Sequence, residues 1–137
     1  MIHQIEVTAT APVEPTEVTD RVVDAIETIL PNAEIERTED AIVARAHSLG
    51  TLSDHLRRRE ILDTARRVFY ENRGRDGFSF TLKKQPAFVG VVTFAVGEPS
   101  ELGEIDVDVR VLEPDVDAVI DHVAPPTEDG VPIDEER

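Results

Sequence analysis

The sequence predicts a single α+β domain, a mainly antiparallel sheet with helices packed on one face. Three observations predict it. Period-two runs such as Ile105, Val107, Val109 and Val111 are interspersed with period-3.6 runs such as Val18, Val22, Ala25, Ile26, Ile29 and Leu30. The strand-like runs come mostly in succession, as in antiparallel meanders with helices inserted between them. A chain of 137 residues, 40% of them apolar, furnishes one hydrophobic core.

Each element has its own local reason. Ile2 to Ala9 alternates Ile5, Val7 and Ala9 against Gln4, Glu6 and Thr8, a half-buried strand that Pro12 and Pro15 end. Thr16 is the expected N-cap of the first helix, with Glu17 and Asp20 favourable in its first turn, and Pro31-Asn32 stops it. Ala33 to Arg37 and Ala41 to His47 read as short strands around the turn Thr38-Glu39-Asp40. Between Leu49 and Asn72 the apolar positions are helical, but their phase slips at Arg57-Arg58-Arg59, which predicts two helices or one bent helix. Arg73 to Gly77 is a turn before the strand Phe78 to Lys83. A further strand is expected over Val89 to Val96, after an irregular Gln85-Pro86 segment where the proline lacks a ladder donor. Ile105 to Val111 is the clearest alternation, and Pro114-Asp115 opens a last helix carrying Val116, Val119, Ile120 and Val123. The order is β-α-β-β-α(α)-β-β-β-α. It fills a domain over residues 1–124 and leaves an acidic, Pro-rich tail over 125–137, expected to be extended or frayed.

Composition narrows function by exclusion. Without cysteine there is no disulfide, thiol nucleophile, cysteine-ligated zinc or iron–sulfur cluster. The run Ala87 to Gly97 is far shorter than the roughly 20 residues of a membrane helix, and the N-terminus carries neither a basic region nor an apolar signal stretch. A cytoplasmic protein that does not meet the membrane is expected. The net charge is −15, and 12 of the 14 bases are arginine. Such an acidic, lysine-poor chain suits a halophilic source, where salt screens self-repulsion over about 3 Å.

The charge is unevenly spread. Arg57 to Lys84 holds nine bases against four acids, while the rest of the chain holds five bases and 25 acids. This basic island is the strongest candidate for meeting an anion or an acidic partner. The competing reading pairs its arginines with the protein's own carboxylates, for which Glu60, Asp63 and Glu71 lie at helical spacing.

Catalytic patterns are weak. His3, His47, His55 and His122 lack the paired spacing of a metal site on one helix, and no metal is expected. Asp106 and Asp108 share a strand face, yet an acidic surface produces such pairs by default. The turn Arg73 to Gly77 lacks the length and the following Lys-Ser/Thr of a P-loop, and no serine sits in a nucleophile elbow. The sequence therefore predicts a protein that is not an enzyme and carries no cofactor.

Two stretches carry a family pattern: Phe80-Thr81-Leu82-Lys83-Lys84-Gln85-Pro86-Ala87-Phe88-Val89-Gly90, and Leu102-Gly103-Glu104-Ile105 followed by Val119-Ile120-Asp121-His122-Val123-Ala124-Pro125-Pro126-Thr127. With Leu56-Arg57-Arg58-Arg59-Glu60-Ile61-Leu62-Asp63, the chain resembles the archaeal uncharacterised protein family 0201 over essentially its whole length. The resemblance implies a fold similar to the large-subunit ribosomal protein that binds 5S ribosomal RNA, and an RNA-binding role. It also implies a P-loop kinase-like unit as a partner, because some relatives appear fused to one.

The expected RNA-binding residues are Arg57, Arg58, Arg66, Arg67, Tyr70, Lys83, Lys84 and Gln85. Arginine forks can take phosphates bidentately, Gln85 can reach a base edge or sugar, and Tyr70 is the aromatic best placed for a ligand. In molar salt counterion release fades, which leaves stacking and directed hydrogen bonds to hold a nucleic acid. The alternative is a protein-interaction module whose basic island docks an acidic partner, the P-loop kinase-like protein or a second copy of this chain.

Overall fold

The computed structural model describes residues 3–95, 103–128 and 131–132. Its elements are β1 (Gln4–Pro12), α1 (Thr19–Glu27), β2 (Glu34–Arg37), β3 (Ala41–Ala46), α2 (Gly50–Arg58), α3 (Leu62–Glu71), β4 (Gly77–Lys83), α4 (Lys84–Phe88), β5 (Glu104–Glu113), α5 (Val116–Val123), β6 (Thr127–Glu128) and β7 (Val131–Pro132). Five strands form one antiparallel sheet in the order β2-β3-β1-β5-β4. The α+β expectation, one sheet with helices on one face, is what the structure shows.

The period-two pattern decides which face is covered. Val7, Ala9 and Ala11 of β1, Ile42 and Ala44 of β3, Phe78, Phe80 and Leu82 of β4, and Ile105, Val107 and Val109 of β5 are all buried beneath the helices. The alternate residues, among them Glu6, Arg45, Asp106, Asp108 and Arg110, are exposed on the uncovered face. Thr8 lies opposite both Arg45 and Asp108, and Thr10 opposite Val43 and Asp106. Phe69 of α3 is fully buried among Phe78, Phe80 and Phe94, with ring centroids 4.8, 5.1 and 6.0 Å away, and this cluster fastens α3 to β4. At Gly77 a Cβ would lie 1.9 Å from the Val109 carbonyl oxygen, so the first rung of β4 on β5 requires glycine.

Several local expectations are corrected. The first helix begins at Thr19 with Val18 as N-cap and no side-chain cap, so Thr16 does not cap it. Glu17 folds back instead, its Oε1 accepting the Glu14 amide at 2.9 Å. Leu49 to Asn72 resolves into two helices, parted where Glu60 takes a left-handed φ of 58°. No strand forms over Val89 to Ala95; Val96 lies outside the described residues. Pro86 occupies the third residue of α4, where its missing N–H costs no helical bond. The chain then turns at Gly90, and only a bridge from Phe94 to Leu82 remains of the expected strand. Around it the Lys83 amide donates to the Thr93 carbonyl and the Ala95 amide to that of Thr81, which covers part of the β4 edge.

Asp115 caps the last helix, its Oδ1 accepting the Ala118 amide at 2.8 Å, and Pro114, expected at the helix start, lies just before the cap. The segment after Ala124 is not frayed where it is described. Pro125 is buried, β6 pairs with β7, and Thr127 Oγ1 donates to Asp63 Oδ1 on α3. The remainder of the expected tail lies outside the described residues.

Candidate functional site

The basic island does not form one face. Helices α3 and α5 lie side by side and are joined by charge. Arg66 Nη1 donates to Asp121 at 2.6 Å and to the Ala124 carbonyl at 3.1 Å, while Arg73 Nε donates to Asp117 at 2.5 Å. Residues 66 and 70 fall on one stripe of α3, Arg73 follows just past its end, and 117 and 121 fall on one stripe of α5, so the spacing on both sides makes the match. Tyr70 sits between the two ion pairs with the Arg66 guanidinium 5.1 Å from its ring centre. Arg66 and Tyr70 are thus both half-buried and already engaged with each other and with α5.

Burial pushes the Tyr70 phenol above its ordinary value, and the nearby Asp121 carboxylate adds to the rise against the opposing Arg66 charge. A group whose pKa is raised on folding contributes stability below its unfolded value and loses it as pH climbs through the folded one. Alkaline titration of this single tyrosine should therefore give a midpoint above about 10, with stability falling as phenolate forms. Arg66→Met should move the midpoint higher still; a midpoint that falls would contradict the ion-pair geometry.

Lys84 is the second displaced candidate. Its side chain is fully buried, with Nζ 2.9 Å from Glu17 Oε1 and 2.6 Å from the Pro12 carbonyl oxygen. It ties the β4–α4 junction to the end of β1 and the turn before α1. A buried lysine held in this way is part of the frame and does not reach a surface ligand. Its neighbours Lys83 and Gln85 are exposed, at a junction where α4 packs against α1. Phe88 is half-buried there, under the Arg21 guanidinium at 5.4 Å.

Apart from the exposed Arg75 in the turn before β4 and Lys83 at its end, what remains of the island lies around the α2–α3 corner. Arg57, Arg58 and Arg59 are exposed, and among the described residues none of the three forms an ion pair. Arg57 Nε donates to Ser53 Oγ, which in turn donates to the Val123 carbonyl at 2.8 Å. Arg57 and Arg66 thus both approach the C-terminal end of α5, where positive charge is favoured. Arg58 Nε donates back to the Asp54 carbonyl at 3.4 Å, leaving its outer nitrogens toward solvent. Arg67 is exposed and holds Glu71 only loosely, at 3.7 Å. Of the expected carboxylate partners only Glu71 is engaged; Asp63 binds Thr127, and Glu60 makes the corner itself.

The uncovered sheet face offers a different surface. Arg45 pairs with Glu36 at 3.0 Å and Arg110 with Glu6 at 3.6 Å, while Thr81 Oγ1 donates to Asp106 at 3.0 Å. Its arginines are balanced and its surplus charge is negative. Among the described residues no three His, Asp or Glu side chains are grouped to hold a metal ion, and no helix is long and apolar enough to cross a membrane.

Comparison with known proteins places this architecture. No family model matches the chain. A UPF0201 protein of Thermococcus kodakarensis is 35% identical over 136 residues, covering 94% of this chain and 96% of that protein. The chain belongs to the UPF0201 family. A UPF0201 protein from Methanococcus jannaschii has a crystal structure that superposes with a TM-score of 0.86 at 33% identity, over 94% of this chain and 99% of that one. The UPF0200/UPF0201 protein of Archaeoglobus fulgidus is 36% identical over 98% of this chain, which spans only 42% of that protein's length. Another UPF0201 relative, from Methanopyrus kandleri, is spanned to 55%.

In this UPF0201 chain two groups escaped sequence reasoning. Glu17, read as a first-turn acid, is the buried counter-ion of Lys84. Asp117 and Asp121 are the partners of Arg73 and Arg66, and their i, i+4 spacing was the available signal.

Proposed function

We propose that the protein is a non-enzymatic RNA-binding module that meets structured RNA at the α2–α3 corner, through Arg58, Arg59 and Arg67 with Arg57 at its margin. One observation carries the reading: in a chain with 29 carboxylates, three consecutive exposed arginines form no ion pair among the described residues. In so acidic a protein an uncompensated cationic corner is an anion-seeking surface. The kinship with a 5S-RNA-binding ribosomal protein implied by the sequence motifs agrees with it. The lysine-poor, acidic composition fits a salt-rich cytoplasm, in which bidentate arginine contacts outlast simple charge attraction.

The test is fluorescence anisotropy with a labelled structured RNA in low and in molar KCl. Arg58→Glu/Arg59→Glu and Arg67→Glu should each weaken binding by about tenfold or more, while Gln85→Ala should change it little. Wild-type protein with no affinity for RNA at either salt would end this reading.

A second reading has its own support. The Archaeoglobus fulgidus relative carries UPF0200 in its name beside UPF0201, and more than half of its length lies outside the match. Families joined in one chain there can meet as separate chains here, so the corner would dock an acidic surface of a P-loop kinase-like protein. Stoichiometric co-purification of such a protein, in place of nucleic acid, would favour it.

A further inference from the structure

Of the six phenyl and phenol rings of this chain four are buried and two are half-buried against an arginine, and that constrains the kind of RNA the arginine corner can hold. Phe69, Phe78, Phe80 and Phe94 are buried together in the core. Phe88 lies half-buried beneath Arg21, and Tyr70 beneath Arg66. There is no tryptophan. The imidazoles are engaged as well: His47 Nδ1 is 3.2 Å from the Ile5 carbonyl, His55 Nε2 is 3.1 Å from that of Thr28, and His3 stacks on His122.

Single-stranded RNA is gripped chiefly by stacking its unpaired bases on open aromatic faces, and among the described residues the arginine corner presents no phenyl or phenol ring. The sheet cannot supply one, because its uncovered face carries Glu6, Glu34, Glu36, Asp106 and Asp108 and repels phosphate. What the corner does offer is guanidinium forks. They hydrogen-bond to phosphate oxygens and ribose hydroxyls, which a duplex displays in a fixed array whatever its sequence. We infer that the ligand of the arginine corner is double-helical RNA, bound through its backbone with little regard to sequence.

The inference rests on the RNA-binding reading, and its test separates the two. The full chain is titrated against an RNA duplex of roughly 16 base pairs, against each of its strands alone, and against a second duplex of scrambled sequence. The expected result is binding to both duplexes within about threefold of each other, at least about tenfold tighter than to either strand, and lost in Arg58→Glu/Arg59→Glu. Arg57→Lys/Arg58→Lys/Arg59→Lys keeps the charge and removes the forks. It should bind nearly as well in low salt and lose the duplex in molar KCl. Single strands bound as tightly as duplex would overturn the duplex inference and leave the RNA reading standing. No binding to any of the four RNAs would overturn both.

Discussion

Lys84→Met is expected to destabilise the protein by about 3–5 kcal/mol, because it leaves the Glu17 carboxylate buried without its counter-charge. The Glu17 side chain is 6% exposed and that of Lys84 is 0% exposed, so water cannot replace the missing ammonium without opening the fold. Glu17 Oε2 already has no hydrogen-bond partner, and removing Lys84 takes the charged donor from Oε1 too, leaving it only the Glu14 amide. The double variant Lys84→Met/Glu17→Leu should recover part of the loss, since it removes the uncompensated Glu17 charge while the Pro12 carbonyl still lacks the Lys84 donor. Urea denaturation of the single and double variants measures both effects. A single variant that costs under about 1 kcal/mol would mean that the pair is solvated and Lys84 is available to ligands after all.

Phe69→Ala should cost a similar amount, about 3–5 kcal/mol, for a different reason. Its ring fills the junction of α3 with Phe78 and Phe80 of β4 and with Phe94, and it is 0% exposed. Truncation leaves a cavity that three flanking rings cannot close without leaving their rotamers. Phe69→Leu should lose clearly less. Because Arg67 rides on the same helix, the Ala variant should also weaken RNA binding beyond what its unfolded fraction explains. Equal stability of the two variants would show that the cluster repacks freely.

How much of this was legible depends on the distance over which each feature is decided. The strand around Val107, the start of the last helix and the break at the triple arginine are local events, and alternation, the Pro114-Asp115 pair and a phase slip announce each of them. The first helix start was misplaced because Thr16 has the side chain of a cap, while Glu17 is drawn inward by a lysine 67 residues away. Lys83 and Lys84 are identical in sequence; only the end of β4 between them turns one out and one in. The basic island was visible as a count. Its division was not, because Asp121 lies 55 residues from Arg66 and Asp117 lies 44 from Arg73. Charge composition can thus locate an island, while the fold decides which of its members remain to meet anything else.

The free edge of the sheet has a consequence for how these molecules behave at high concentration. β2 is the outermost strand on its side, with Glu34 and Glu36 exposed on either side of Ile35. Suppose two molecules aligned these strands head to tail with their helices on the same side. Matching Ile35 to Ile35 sets Glu34 against Glu36 of the other molecule, and sliding by two residues in total either way sets Glu34 against Glu34 or Glu36 against Glu36. Every such alignment brings carboxylate against carboxylate across a rung, where like charges oppose pairing. Four residues therefore act as a stop codon for the sheet: they let it end in water without inviting the next molecule to continue it.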